Sequence, residues 1–185
     1  MNVPINISAR HIHLNKETYD MLFDDELTIK QELYQPGFFA ANETVTIKTE
    51  KGEFQNVRIV GPLRNYNQVE ISKSDARVLG INPPVRTSGD LNGAEVVIIE
   101  TPKASIKLPV AIIADRHIHM SKEFAEAHNI KDRDVLNLEI PGIKHGIIDV
   151  HAKISDNALL EVHLDTDDAN AFLLEKSSIG DIKNL

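Results

Sequence analysis

The sequence has no cysteine among its 185 residues. A disulfide framework is therefore impossible, and any metal must be held by histidine and carboxylate alone. Nothing approaches the ~18 consecutive apolar residues that a transmembrane helix needs, so no membrane partner is expected. The opening Met1-Asn2-Val3-Pro4-Ile5 has neither a basic stretch nor a long hydrophobic one. No secretion signal is expected from it, and the expected compartment is the cytoplasm. Positive charge is scarce, with 20 Lys and Arg against 28 Asp and Glu and a formal net charge of −8. That balance argues against a general nucleic-acid surface, which requires clustered Lys and Arg. It leaves room for a phosphorylated small molecule, because local arginines and metal ions set the potential inside a pocket.

What remains is the composition of a globular protein, 42% apolar and 26% charged. The length suits one sizeable core or two small domains sharing an interface. Within it a four-residue stretch occurs twice, as Arg10-His11-Ile12-His13 and as Arg116-His117-Ile118-His119. Each copy follows an apolar run that reads as a strand, Ile5-Asn6-Ile7-Ser8 and Val110-Ala111-Ile112-Ile113. Each precedes a helix start, Leu14-Asn15-Lys16-Glu17 and Met120-Ser121-Lys122-Glu123. In an extended backbone residues i and i+2 point to one side, so each histidine pair can grip one metal ion. A single such pair is more often two ordinary half-exposed histidines. Two identical copies in corresponding places point to two related sites.

In chain order, Asn15 is placed to cap a helix through about Phe23, and Gln35-Pro36-Gly37 marks a turn into Phe38-Phe39-Ala40. Residues 43–48 and 54–60, joined by Lys51-Gly52, predict a β-hairpin. Gly61-Pro62-Leu63-Arg64 breaks the second strand. Residues 68–71 predict a short strand and 73–79 a helical turn ended by Gly80. Pro83 to Asp90 reads as loop, and residues 94–99 as another strand. The hairpin recurs in shortened form from Val135 through Ile154, with Pro141-Gly142 near its turn.

The repeat runs deeper than the four-residue motif. Residues 68–76 align with 161–169, so that Val69 meets Val162, Asp75 meets Asp168 and Ala76 meets Ala169. In that register Glu70 meets His163. Each half then offers a histidine pair plus a third candidate ligand: His11, His13 and Glu70 in the first, His117, His119 and His163 in the second. Both are three-ligand sets that suit a catalytic zinc with one open position. Taken alone, Glu70 would read as a solvated strand residue and His163 as a core histidine; the repeat favours the metal reading. His128, His145 and His151 have no counterpart in the other half and read as surface or packing residues. Such self-similarity predicts two halves of one architecture related by a pseudo-twofold axis.

These residues resemble the PduL-type phosphate propanoyltransferases (phosphotransacylases) over nearly the whole chain. The likeness rests on Ser8-Ala9-Arg10-His11-Ile12-His13-Leu14, Gln35-Pro36-Gly37, Gly61-Pro62-Leu63-Arg64, Gln68-Val69-Glu70-Ile71-Ser72, Pro84 to Asp90, Arg116 to Met120 and His163 to Ala171. The resemblance implies a mainly β fold with short helices: two similar six-stranded β-barrels, related by the internal repeat and strand-exchanged. The barrels would comprise residues 10–114, and residues 1–9 with 115–185, packed as one compact unit.

It also implies an acyltransferase that moves a short acyl group, propanoyl or acetyl, between coenzyme A and inorganic phosphate, in a setting of propanediol degradation. Two zinc ions are implied, held by the two triads above. Arg64 matches the family's phosphate-contacting arginine, and Ser8, Arg10, Arg58 and Asn170 match positions lining the coenzyme A groove. The implied partners are acyl-CoA or CoA and phosphate or acyl phosphate, and the expected assembly is a homodimer. The chain departs from the family at Lys30-Gln31-Glu32-Leu33, at Thr49-Glu50-Lys51-Gly52, and at Lys144 and Lys153, where arginine is usual. Many relatives carry an N-terminal amphipathic extension that directs them into a bacterial microcompartment; none is expected from Met1-Asn2-Val3-Pro4-Ile5, and that location stays open.

Two negative reactants must meet at one carbonyl in such a reaction, and metal coordination can hold a thiol as thiolate. Direct attack of phosphate within a ternary complex is the expected route, since no residue offers itself as an acyl carrier. A dinuclear metallohydrolase acting on a phosphate or acyl ester would use the same six ligands. A zinc-stabilised interaction module would instead need closed four-ligand sites, and each half supplies only three convincing ligands.

Overall fold

The computed structural model describes residues 1–183. The chain divides into two compact units, one of Met1–Ala9 with Asp115–Leu185 and one of Arg10–Ala114. Its elements in order are β1 (Asn2–Ser8), β2 (His11–His13), α1 (Lys16–Leu22), β3 (Ile29–Glu32), β4 (Phe39–Lys48), β5 (Glu53–Gly61), β6 (Gln68–Glu70), α2 (Lys73–Leu79), β7 (Val85–Arg86), β8 (Glu95–Glu100) and β9 (Ser105–Ala114). The second round runs β10 (His117–Met120), α3 (Lys122–Ala127), β11 (Val135–Ile140), β12 (Gly146–Ile154), β13 (Glu161–Asp165), α4 (Thr166–Phe172) and β14 (Ile179–Lys183). Among the described residues no helix is long and apolar enough to cross a membrane.

Both units are six-stranded barrels of the same design. In the second round the ring is β1-β13-β10-β12-β11-β14. In the first, β4, β5, β2, β6, β9 and β8 pair in a ring that returns to β4. Strand β3 extends it beside the first part of β4, and β7 beside the end of β9. Matching the rings puts β10 where β2 stands, β13 where β6 stands, and β1 where β9 stands. Each motif strand has a parallel neighbour on one side and an antiparallel one on the other. The strand that precedes each motif belongs to the other barrel, so the barrels are strand-exchanged: β1 runs parallel to β13, and β9 parallel to β6.

Alternation explains the motif. Ile12 and Ile118 point into the two cores, 0% and 1% exposed, and the flanking histidines necessarily point the other way. Around Ile12 gather Ile47, Ile59, Val69 and Ile99; around Ile118 gather Val3, Ile5, Leu138, Val150 and Val162. These side chains fill the barrels, as expected for rings this narrow. Because Ile5 sits in the core of the second-round barrel, Ile5→Ala should destabilise that unit by about 2–5 kcal/mol. Urea unfolding followed by a probe in residues 115–183 measures this, and an unchanged midpoint would mean that β1 is dispensable to that barrel.

The helices form where local chemistry favours them. Asn15, Ser72, Ser121 and Asp165 each accept a bond from a first-turn backbone N–H, and Ser72 with Asp75 completes a capping box. Gly80 ends α2 at φ +64°, a left-handed cap that suits glycine. The repeat's aligned aspartates also gain a reason. Asp75 takes Arg10 at 2.6 Å, and Asp168 takes Arg116 through two bonds of 2.6 and 2.8 Å. The arginine of each motif is thus tied to the helix that follows the third-ligand strand.

Three sequence expectations are corrected. Val85–Arg86, read as loop, is a strand paired with Ile113 and Ala114. The strand expected at residues 110–113 begins at Ser105, because β8 pairs with its first half. Strands β3 and β14 were not expected at all.

Candidate metal centres

The first cluster is assembled by β2 and β6, where His11 stands opposite Glu70 and His13 opposite Gln68. His11 Nε2 and His13 Nε2 are 3.2 Å apart. Glu70 Oε2 lies 3.5 Å from His11 Nε2, and Glu70 Oε1 3.7 Å from His13 Nε2. Two ligands about 2.0–2.2 Å from a tetrahedral ion are separated by about 3.3–3.6 Å, so this spacing fits zinc. His13 Nδ1 lies 3.0 Å from the Val60 carbonyl. A carbonyl only accepts, so the ring's proton sits on Nδ1 and Nε2 keeps its lone pair. Burial pushes the His13 pKa down to about 4, outweighing the Glu70 carboxylate, which raises it, while His11 and Arg64 add to the lowering. The ring is neutral at pH 7, the state a ligand requires.

The second cluster repeats this on β10 and β13, with His117 opposite His163. His117 Nε2 and His119 Nε2 are again 3.2 Å apart. His117 Nδ1 lies 2.8 Å from the Asp115 carbonyl, which frees Nε2 in the same way. The His163 ring centre is 5.0 Å from that of His117 and 4.5 Å from that of His119. In each triad one ligand atom per residue lies within 4.8 Å of the others. A divalent cation at each point of convergence would satisfy all three lone pairs at once; a single proton serves only one.

Arg64 lies beside the first cluster. Its backbone N–H donates to Leu14 O at 2.8 Å, directly after the motif. Its Nη1 donates to the Tyr66 hydroxyl and, at 3.3 Å, to Ser88 Oγ. Ser88 Oγ in turn donates to Glu70 Oε1 at 3.2 Å. The guanidinium carbon is 5.6 Å from the Phe38 ring centre and 5.5 Å from that of Tyr66. Glycine is required nearby, since a Cβ on Gly61 would lie 2.3 Å from the Phe39 ring. The arginine is thus positioned through a serine to a proposed ligand, with its Nε and Nη2 hydrogens unengaged among the described residues.

The four remaining expected residues divide between the units. Ser8 ends β1 opposite Asp165, the cap of α4, and Asn170 is exposed on α4. Arg10 is held by Asp75 and lies over the Phe54 ring at 4.1 Å. Arg58 is exposed on β5, opposite His11. The sequence reading overlooked His151. The parallel register places it opposite His117, where Arg58 stands relative to His11. Its Nδ1 lies 2.8 Å from Asp115 Oδ2, and Arg133 Nη2 lies 3.1 Å from the same oxygen. His151 therefore has a counterpart, but only strand pairing reveals it. His128 Nδ1 donates to the Phe124 carbonyl at 2.9 Å, and His145 pairs with Glu139 at 2.8 Å, both local packing roles. Lys153 stands opposite His119, and Lys144 is exposed in the turn before β12.

A family model described as phosphate propanoyltransferase matches residues 4–175. The chain is 43% identical to the phosphate propanoyltransferase of Thermotoga maritima over 180 residues, 95% of this chain and 86% of that protein. It is 43% identical to that of Salmonella typhimurium over 173 residues, 91% and 82% respectively. It is 42% identical to that of Alkaliphilus metalliredigens over 184 residues, 97% and 87%. Twin barrels with a histidine cluster apiece, taken with these likenesses, define an enzyme of the acyltransferase class. The chain belongs to the phosphate propanoyltransferase family.

Proposed function

We propose that the chain transfers a propanoyl or acetyl group between coenzyme A and inorganic phosphate, using two zinc ions. His11, His13 and Glu70 hold one ion, and His117, His119 and His163 the other. The observation that carries this reading is the 3.2 Å separation of paired Nε2 atoms in both clusters, close to the spacing around a tetrahedral ion. When bound, each ion supplies positive charge and an open position for a thiolate sulfur or a phosphate oxygen.

In the direction of acyl phosphate synthesis, a phosphate oxygen forms a bond to the acyl carbonyl carbon. The carbon–sulfur bond breaks, and coenzyme A leaves as thiolate with the bonding pair. Arg64 binds the phosphate through the N–H groups its neighbours leave unengaged, and offsets its charge as it approaches the carbonyl. Ser88 and Tyr66 fix the guanidinium, so that little reorientation is needed at the moment of attack. Ser8, Arg10, Arg58 and Asn170 contribute to the coenzyme A site; of these, Arg10 is already anchored by Asp75 and Arg58 is exposed toward solvent. The chain works as a cytoplasmic homodimer open to microcompartment association.

The test is thiol release from propionyl-CoA and acetyl-CoA, each with and without phosphate. Release should depend on phosphate, and acetyl phosphate should be consumed only when coenzyme A is present. Hydrolysis of acetyl phosphate without coenzyme A would instead favour a metallohydrolase using the same ligands.

A further inference from the structure

Each metal triad is three corners of a four-cornered grid. On β2 and β6 the corners are His11, His13, Glu70 and Gln68; on β10 and β13 they are His117, His119, His163 and Glu161. Alternation puts all four side chains of a grid on one face. The fourth corners, Gln68 and Glu161, belong to neither triad, yet they are 0% and 5% exposed. Burying a carboxylate so deeply is costly unless it is partnered.

Glu161 Oε2 lies 2.7 Å from His163 Nε2. Asn6 Nδ2 also lies 3.3 Å from that nitrogen, but the carboxylate contact is the shorter and charged one. A carboxylate has no hydrogen to give, so Nε2 carries the ring's N–H and Nδ1 is its lone-pair nitrogen. In the first grid the bond runs the other way. Gln68 Nε2 donates to Glu70 Oε1 at 2.6 Å, and Gln68 Oε1 accepts from the Gly89 N–H at 2.7 Å. The third ligand and the fourth corner are therefore exchanged as a pair. An accepting ligand, Glu70, has a donating neighbour; a donating ligand, His163, has an accepting one. With neutral histidines each grid carries one carboxylate, in the triad in one case and beside it in the other.

We propose that Glu161 is a positioning residue of the second metal centre. It acts through His163, fixing the ring's tautomer and orientation, and it supplies beside the triad the negative charge that Glu70 supplies within the first. The proposal rests on the two-ion reading above. Carboxylates bonded to a ligating imidazole fix the ring in this way, and their loss typically weakens metal binding by about 10–100-fold.

The experiment is zinc competition against a chromophoric chelator on the full chain. Glu161→Ala should weaken one of two zinc sites by about 10–100-fold and leave the other unchanged, with two ions still bound at saturation. Glu161→Gln keeps an accepting oxygen without the charge and should weaken the same site by less, since a neutral acceptor makes a weaker bond. In two-bond proton–nitrogen spectra of the metal-free chain, His163 should be the Nε2–H tautomer, and Glu161→Ala should change it. Wild-type affinity at both sites in either variant, or an unchanged tautomer in Glu161→Ala, would overturn the proposal. Saturation of Glu161→Ala by only one ion would make Glu161 a ligand and equally overturn it. If the wild-type chain binds no zinc, the two-ion reading fails, and the tautomer measurement then shows separately whether Glu161 orients His163.

Discussion

Replacing Arg64 with alanine should lower phosphate-dependent turnover by about 10²-fold or more, the loss typical of removing one charge-stabilising group from a reacting centre. Position in the sequence alone would make Arg64 a surface residue of a polar loop. The structure ties it at three points: its backbone to Leu14, and its Nη1 to Tyr66 and to Ser88. Ser88 also bonds Glu70, so the guanidinium and a proposed ligand share one hydrogen-bonded neighbour. That connection fixes the distance between the positive group and the first cluster, a distance on which charge stabilisation depends steeply. Arg64→Lys should recover only part of the loss, because an ammonium acts as a point charge and cannot make the paired bonds of a guanidinium. Zinc content and thermal stability should stay close to wild type, since Arg64 is not a proposed ligand. Near wild-type kcat/KM for phosphate in Arg64→Ala would place the phosphate site elsewhere.

The second large effect concerns the clusters themselves. Metal analysis of the wild-type chain should give about two divalent ions, as expected for two open three-ligand sites. His11→Ala should remove about one of them, and His117→Ala the other, each with loss of phosphate-dependent turnover. The two variants should fail independently, because each cluster is built on its own barrel's strands. Adding zinc should raise the melting temperature of the wild type by mass action, worth about 4 kcal/mol at a thousandfold excess over Kd. In each variant the rise should be smaller. One ion or none in carefully prepared wild-type protein would remove the basis for the double site.

The sequence by itself determined whatever depends on neighbours along the chain. Alternation in Arg10-His11-Ile12-His13 and its copy fixed which residues face the core and which stand together outside it. The helix caps at Asn15, Ser72, Ser121 and Asp165 are local bonds, and the 68–76 and 161–169 segments carry the third candidate ligands visibly in register. The long irregular motifs around Gln35, Arg64 and Ser88 were enough to indicate the family.

Only the tertiary structure decided what depends on pairing between distant strands. Strand β3 is exposed along its whole length and has no apolar face to betray it. Strand β14 is short and carries Gly180, which fits because a Cβ there would lie 2.5 Å from Leu138. Closure of each ring, and the exchange of β1 and β9 between the barrels, were expected from the family resemblance alone; physically they follow from non-local hydrogen bonds that no window of sequence contains. The aspartates aligned at 75 and 168 acquired a reason only when Arg10 and Arg116 were found against them. His151 and Glu161 show the same limit at the site. Each reads as unremarkable in its own segment, and each gains a role from the strand opposite, where register places it beside His117 or His119.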